Sequence, residues 1–385
     1  MPHQSLLAAT TGLRRLGLMG LAGLSLGLLA GPLPTSACTG GALTASDGAV
    51  VVGRTLEFGK PLDSQVAIWP AGSAFTGSAG EGPGLRYRSR YGFVGATVAT
   101  SADLILDGLN EKGLNVGLFY FPGYAEYTPA NRARRNRTLA PAQLGSWLLA
   151  NFATVEEVRA AVNDVDLTAQ VLPLLGIVPD VHFKVQDASG KSIVIEPRGG
   201  KLVVHDNPTR VLTNAPDFSW HSTNLNNYVP LSNAYPTART LGQSDSGRLT
   251  LQPFGMGAGG LGLPGDFTPP SRFVRMVYFT QNAAPTPNAK AAVASLFHIL
   301  NNFDIPFGVA KPPAGSGEGL PDFTTWTSVA DLRNLQFNWK TYGDQRVRTL
   351  DLRAALQAAG SQLLLIPMGP QDPASVSPTI PVELP

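Results

Sequence analysis

Cys38 is the one cysteine in a chain of 385 residues. It follows Thr35-Ser36-Ala37, small residues of the kind that precede a leader-peptidase cut. A cut after Ala37 makes Cys38 the first residue of the mature chain, with its thiol and its α-amine on the same residue. A thiol of pKa about 8.5 then lies beside an amine of about 7.7–8, so the amine can take the thiol proton. The thiolate attacks a carbonyl, and the protonated amine hands its proton to the departing amine. Formation and hydrolysis of the thioester complete amide cleavage, with no His–Asp relay and no cofactor. Five histidines are present, one of them in the leader; His205 and His221 follow later without a recognisable setting.

Arg54 and Glu57 lie sixteen and nineteen residues after the cysteine. A cation such as Arg54 favours the thiolate, and a carboxylate such as Glu57 would hold the terminal ammonium. Three residues apart on a regular strand, they point to opposite faces. Both then serve one site only if a bend, a bulge or the strand end turns one of them. On pattern alone each also reads as a surface residue.

Arg14-Arg15 and the apolar Leu16–Ala30 run complete the layout of a secretory signal over residues 1–37, leaving 38–385 as one domain. The leader is too short and Gly-rich for a membrane anchor, and the twin arginines fit twin-arginine or Sec export. A lipoprotein is a further alternative, but Thr35 stands where a bulky aliphatic residue is expected, and lipidation would block the amine. Formal charge drops from +2 to 0 with the leader, so the basic balance gives no support for a nucleic-acid partner. One cysteine forms no internal disulfide, so stability rests on a core, which a chain of this length can bury. The mature chain has no further long apolar run, and membrane insertion is not expected. Gly257-Ala258-Gly259-Gly260-Leu261-Gly262 lacks the lysine and helix of a phosphate loop, and no cluster has metal-ligand spacing.

The elements that must position these residues are hairpins and paired helices. Val50–Phe58 reads as a strand after the Asp47-Gly48 turn, with Cys38–Leu43 as its antiparallel partner. Strands are expected at 85–90, 93–99 and, as strand-turn-strand, 104–120, then at 182–186, 192–196, 202–204 and 210–213. The last strands fall at 324–331, 336–341 and 346–350. Asn131–Arg137, with four arginines, reads as a solvated loop. Helices are expected from Pro141 to Leu149, from a Thr154 capping box to Ala161, over 274–281, 288–301 and 353–359, and as a short turn at 237–241. Residues 312–321 read as a flexible connection. The succession fits an α+β fold, a four-layer αββα sandwich with two antiparallel sheets between helical layers.

At this point the chain resembles the choloylglycine hydrolase family, the N-terminal-nucleophile cysteine amidases that include bile salt hydrolases and penicillin V acylases. The residues that carry the resemblance are Cys38-Thr39, Gly53-Arg54-Thr55-Leu56-Glu57-Phe58, Leu109-Asn110-Glu111-Lys112-Gly113-Leu114 and Phe121-Pro122-Gly123-Tyr124-Ala125. Leu212-Thr213-Asn214-Ala215-Pro216, Thr223–Tyr228, Leu263–Phe267, Ser271-Arg272-Phe273-Val274-Arg275 and Thr324-Thr325-Trp326-Thr327 continue it.

The resemblance implies that Cys38 is the nucleophile and Arg54 the arginine close to its thiol. Glu57 falls where many members carry aspartate. Asn214 is implied as an oxyanion-hole donor or a contact to the amine, and Arg272 as a stabiliser of the site. Tyr120 stands where bile salt hydrolases tend to place asparagine and penicillin V acylases tyrosine; its phenol would serve the oxyanion hole and reshape the pocket. Phe58, Phe119 and Phe121 are candidates for an apolar pocket wall, with ordinary core packing as the alternative.

The expected activity is therefore that of an exported amidase, periplasmic or extracellular, acting on small-molecule acyl amides such as penicillin V or N-acyl-homoserine lactones. The alternatives are a conjugated bile salt hydrolase, another lipid amide hydrolase, and a secreted or lipidated envelope binding protein. The resemblance also implies a homo-oligomer, often a tetramer.

Overall fold

A computed structural model describes residues 37–59, 62–244, 247–312 and 320–374. Residues 1–36, most of the 312–321 connection and the end of the chain lie outside the described residues. Thirteen strands build two antiparallel sheets. In chain order they are β1 (Cys38–Thr44), β2 (Val50–Phe58), β3 (Gln65–Trp69), β4 (Phe93–Val98), β5 (Ser101–Asn110), β6 (Asn115–Tyr120) and β7 (Val181–Gln186). They continue with β8 (Ser192–Arg198), β9 (Lys201–Asp206), β10 (Phe323–Asp331), β11 (Gln336–Thr341), β12 (Asp344–Asp351) and β13 (Leu364–Pro367). One sheet runs β1-β2-β10-β11-β12, the other β9-β8-β7-β6-β5-β4-β3-β13. Helices α1 (Leu144–Asn151), α2 (Val155–Ala161), α3 (Phe218–Asn224), α4 (Pro269–Asn282), α5 (Ala289–Leu300) and α6 (Leu352–Ala359) complete the chain. Helix α1 packs on β5 and β6, while α4 and α5 cover the outside of the five-stranded sheet. This is the expected αββα sandwich.

Local chemistry sets the strand ends. The Asp47 carboxylate accepts from Ala49 N–H (2.9 Å) and Gly48 takes φ +81°, which closes the β1–β2 hairpin. Between β5 and β6, Asn110 Oδ1 accepts from the backbone of Lys112 and Leu114 (both 3.0 Å). Its Nδ2 donates to Leu149 and Phe152 carbonyls, which ties the turn to α1.

Strand β1 shows which way each residue faces. A Cβ on Gly40 would lie 2.6 Å from Phe119 of the opposite sheet, and one on Gly41 would lie 2.2 Å from Met276 of α4. Even-numbered residues of β1 therefore face the other sheet, and odd-numbered ones face the helices. Its pairing with β2 (Cys38↔Leu56, Gly40↔Arg54) carries the same sidedness onto the second strand.

Several expected elements differ. Residues 210–213 contribute only a single bridge, Leu212 to Gly40, because Arg210 takes φ +57° and breaks the strand. The region 237–241 is no helix but half of an exposed hairpin, Arg239–Ser244 with Gly247–Leu251. Its apolar residues have no core to face, so helical spacing misleads there. Asn131–Arg137 coils into a 3-10 turn whose Arg134 pairs with Asp166 at 2.7 Å. The 85–90 strand pairs outside the main sheets, as Pro83–Arg88 against Ala74–Ser78.

Candidate active site

Cys38 opens β1 at the end of the five-stranded sheet and is 2 % exposed. Its side chain lies on the inner face with Leu56 and Arg54 of β2. Burial pushes the thiol pKa up; Arg54 is the strongest influence pulling it back, Glu57 pushes it up, and the Tyr120 backbone N–H and Arg272 lower it. Arg54 is itself buried. Its Nε donates to Thr55 O (3.2 Å) and its Nη1 to the carbonyls of Leu106 (2.8 Å) and Leu118. The guanidinium lies 4.4 Å over the Phe119 ring. Nη2 has no partner among the described residues, so one hydrogen-bonding arm of a buried cation is left over beside the thiol.

The other side of Cys38 is polar and fully engaged. Its backbone N–H donates to Asn214 Oδ1 (2.8 Å), and Arg272 Nη2 donates to that same oxygen (2.7 Å). Arg272 Nη1 reaches Cys38 O (2.5 Å) and Thr39 Oγ1 (2.8 Å), and its Nε is anchored on Phe267 O (2.8 Å). Asn214 Nδ2 donates to Tyr120 O at 2.8 Å. Two donors at Oδ1 and a carbonyl at Nδ2 fix the orientation of the amide, and one Nδ2 proton remains to spare.

Glu57 lies on the outer face of β2, where Thr324 Oγ1 donates to its Oε1 at 3.0 Å. Burial raises its carboxyl to about 7, with the Arg272 guanidinium the strongest opposing influence. Arg54 and Glu57 do point to opposite faces of β2, and no bulge in β2 turns either. The register shift sits in β10, between Thr324 and Trp326. From opposite faces both influence the Cys38 thiol, Arg54 lowering its pKa and Glu57 raising it.

The thiol looks into an apolar pocket of about 560 Å³, mouth included. Leu56, Phe58, Leu106, Leu118, Tyr120 and Leu174 are among its walls. Of the three expected phenylalanines only Phe58 is there. Alternation along β6 puts Leu118 and Tyr120 on the pocket side and turns Phe119 and Phe121 away. Phe119 lies under Arg54, and Phe121 stacks on His182 with ring centroids 4.2 Å apart. Burial and the nearby Asp180 and Asp322 push the Tyr120 phenol up to about 12, so it stays protonated.

Sequence reasoning missed the groups that hold Asn214 in place. His221 Nε2 donates to Asn214 O (2.8 Å), and its ring stacks on Phe273. The His182 ring bonds Thr213 O (3.0 Å) through Nε2 and Glu196 Oε1 (3.3 Å) through Nδ1. Hydrogen bonds from both histidines, His182 and His205, hold Glu196 down at about 2 against its burial. His182 and Glu196 sit opposite each other on β7 and β8, the hairpin expected from the 182–186 and 192–196 strands, but their link to Asn214 through Thr213 is not visible in the sequence.

Among the described residues there is no cluster of His, Cys, Asp or Glu that could hold a metal ion, and no helix is long and apolar enough to cross a membrane. What the arrangement can do is bring a nucleophile, a buried cation, one spare amide proton and an apolar pocket to one point.

Comparison with known proteins agrees with that chemistry. Residues 38–358 match the family described as linear amide C-N hydrolases, choloylglycine hydrolase family. The bile salt hydrolase/transferase of Clostridium perfringens is 32 % identical over 320 residues, covering 82 % of this chain and 92 % of its own. The penicillin V acylase of Pectobacterium atrosepticum is 25 % identical over 327 residues, covering 79 % of this chain and 77 % of its own. A crystal structure of a conjugated bile acid hydrolase variant from Clostridium perfringens superposes with a TM-score of 0.75 at 28 % identity, covering 89 % of this chain and 99 % of that one.

Proposed function

Because this chain belongs to the choloylglycine hydrolase family of linear amide C–N hydrolases, with their N-terminal cysteine nucleophile, we propose that it hydrolyses amides joining a bulky apolar acyl group to an amino acid, as in conjugated bile acids. The observation that carries this reading is the apolar pocket opening on Cys38, whose walls are almost wholly hydrocarbon. The higher identity to a bile salt hydrolase than to a penicillin V acylase (32 % against 25 %) supports the bile-acid type over the penicillin V or homoserine-lactone type expected first. Tyr120 in the pocket wall favours that second reading, because it narrows the pocket with an aromatic ring.

In this proposal a cut after Ala37 frees the Cys38 amine. The amine takes the thiol proton, and Arg54 Nη2 holds the thiolate. The thiolate adds to the acyl carbonyl, and the spare Nδ2 proton of Asn214 with the Tyr120 phenol receives the developing oxyanion. Collapse breaks the C–N bond, and the ammonium of Cys38 protonates the leaving amine. Water, deprotonated by the same amine, then opens the thioester. Asn214, Arg272 and Glu57 orient that amine. Export through a leader over residues 1–37 belongs to this reading. So does assembly into a homo-oligomer, supported by the exposed Leu249, Phe254, Met256 and Leu261 on and beside the 239–251 hairpin.

The test is a hydrolysis panel of glycine- and taurine-conjugated bile acids, penicillin V and N-acyl-homoserine lactones, with the mass of the mature N-terminus measured alongside. Faster turnover of the conjugated bile acids with an unmodified Cys38 at the N-terminus is the expected result. Preference for penicillin V selects the second reading, and a lipid adduct on Cys38 defeats both.

A further inference from the structure

The pocket beside Cys38 has a neighbour. A second cavity of about 550 Å³, mouth included, shares four wall residues with it: Leu104, Ala142, Leu172 and Pro179. Its remaining walls are mixed: Ala140, Pro141, Val171 and Pro173 are apolar, and Ser78, Ser101, Asp103, Gln143 and Gln170 bring in polar groups that the first pocket lacks. These groups are already ordered. Gln143 Nε2 donates to Asp103 Oδ2 (3.1 Å), and Gln143 Oε1 accepts from Ser78 N–H (2.9 Å) and Ala140 N–H (3.1 Å). Ser78 Oγ donates to Gln170 Oε1 at 2.8 Å. Ser146 and Gln143, beside Ala142, tie Asp103 to the helical side of β5. The acyl pocket reaches that same side through Ala142 and Leu118.

From this juxtaposition we propose that the second cavity is a distal subsite that selects acyl groups bearing a hydroxyl at the end remote from the amide. The inference rests on the amidase reading above and adds the class of acyl group. The first cavity takes the apolar body, and the second takes the oxygen function. Asp103 is the group that decides the chemistry. Gln143 occupies its Oδ2 and not its Oδ1, so the carboxylate can accept a further hydrogen bond, and a bond from a hydroxyl to an ionised carboxylate is a strong one. A methyl terminus offers Asp103 no hydrogen bond. A carboxylate terminus brings like charge against Asp103 and is rejected.

The experiment compares acyl glycines of matched length with methyl, hydroxyl and carboxylate ends, run as a series of lengths, reading kcat/KM. In the wild-type protein the hydroxyl-terminated chain is expected to exceed the methyl-terminated one by roughly tenfold at the length that spans both cavities, with the carboxylate-terminated chain last. At short lengths that stop in the first cavity the preference is expected to vanish. In Asp103→Asn the hydroxyl-to-methyl ratio is expected to fall to a few-fold, and the penalty on the carboxylate end to shrink. Methyl-terminated chains turned over as well as hydroxyl-terminated ones at every length overturn the subsite, and this arm needs no variant to fold. An unchanged ratio in Asp103→Asn overturns the role of Asp103. Absence of hydrolysis for every acyl amide is the separate failure of the amidase reading.

Discussion

The two sides of Cys38 are built by opposite means. On the thiol side the protein places one buried guanidinium with an arm to spare, and hydrocarbon beyond it. On the nitrogen side nearly every polar group has a partner: Asn214 holds Cys38, Arg272 and Tyr120 at once, and Arg272 uses all three of its nitrogens. The difference follows from what each atom must do. A thiolate needs charge stabilisation without competing hydrogen bonds, because its lone pairs attack. An amine that must gain and lose a proton needs a fixed direction, which a dense network supplies. One hairpin can serve both because alternation along β1 and β2 sends Cys38 and Arg54 inward and Thr39 and Glu57 outward.

The largest effect is expected where the two sides meet. Cys38→Ala should abolish hydrolysis, and Cys38→Ser should lower kcat by roughly three orders of magnitude or more with the circular dichroism unchanged. Retained turnover by either variant would dissolve the whole comparison. Next comes the network side. Asn214→Ala removes the contact to Cys38 and the spare amide proton together, and kcat should fall by about 10²–10³-fold with a smaller change in KM. A pure KM effect would make Asn214 a substrate contact instead.

The thiol side is sharpened by Arg54→Gln, which removes the charge. Alkylation of Cys38 by iodoacetamide, followed against pH, should move to higher pH, because Arg54 is the main influence holding the thiol pKa down. An unmoved profile would leave the spare arm without a purpose. The smallest change in rate is expected from Glu57→Gln, but it carries a stability signature. The Glu57 carboxyl titrates at about 7 in the fold, above its ordinary 4.5. Its ionisation therefore costs stability as pH rises from about 4.5 through 7. Melting temperatures of wild type and Glu57→Gln should be close near pH 5, and the variant should be the more stable above pH 7. The reverse order would put Glu57 in a favourable ion pair instead.

The site was unevenly legible in the amino-acid sequence. Cys38 stood out because it is alone and follows a stretch that reads as a leader, and the β1–β2 hairpin because Asp47-Gly48 is a turn with a mechanism. Arg54 and Glu57 were picked out and their opposite facing was read correctly, but the bend or bulge that was to bring both to one site is absent from β2. Phe119 and Phe121 were placed in the pocket by residue type, whereas the phase of β6 decides, and only Gly40 and Gly117 packing on Phe119 fixes that phase. His182, Glu196 and His221 were not legible as a group. His182 and Glu196 meet across the β7–β8 hairpin, but the reach of His182 to Thr213 and of His221 to Asn214 is tertiary and no local pattern encodes it.

The β1–β2 ladder runs one step past the cysteine: Glu57 N–H donates to Ala37 O at 2.9 Å. The Ala37–Cys38 peptide is thus held as part of the sheet, and while it is intact the Cys38 nitrogen is an amide with no lone pair for a proton. The consequence is one of timing. An uncut chain carries every other group of the site yet is latent, and an outside peptidase needs this stretch unpaired. Under the proposed cut after Ala37, removal of the leader has to run ahead of hairpin closure, which would make the folding clock part of the switch that turns the thiol on.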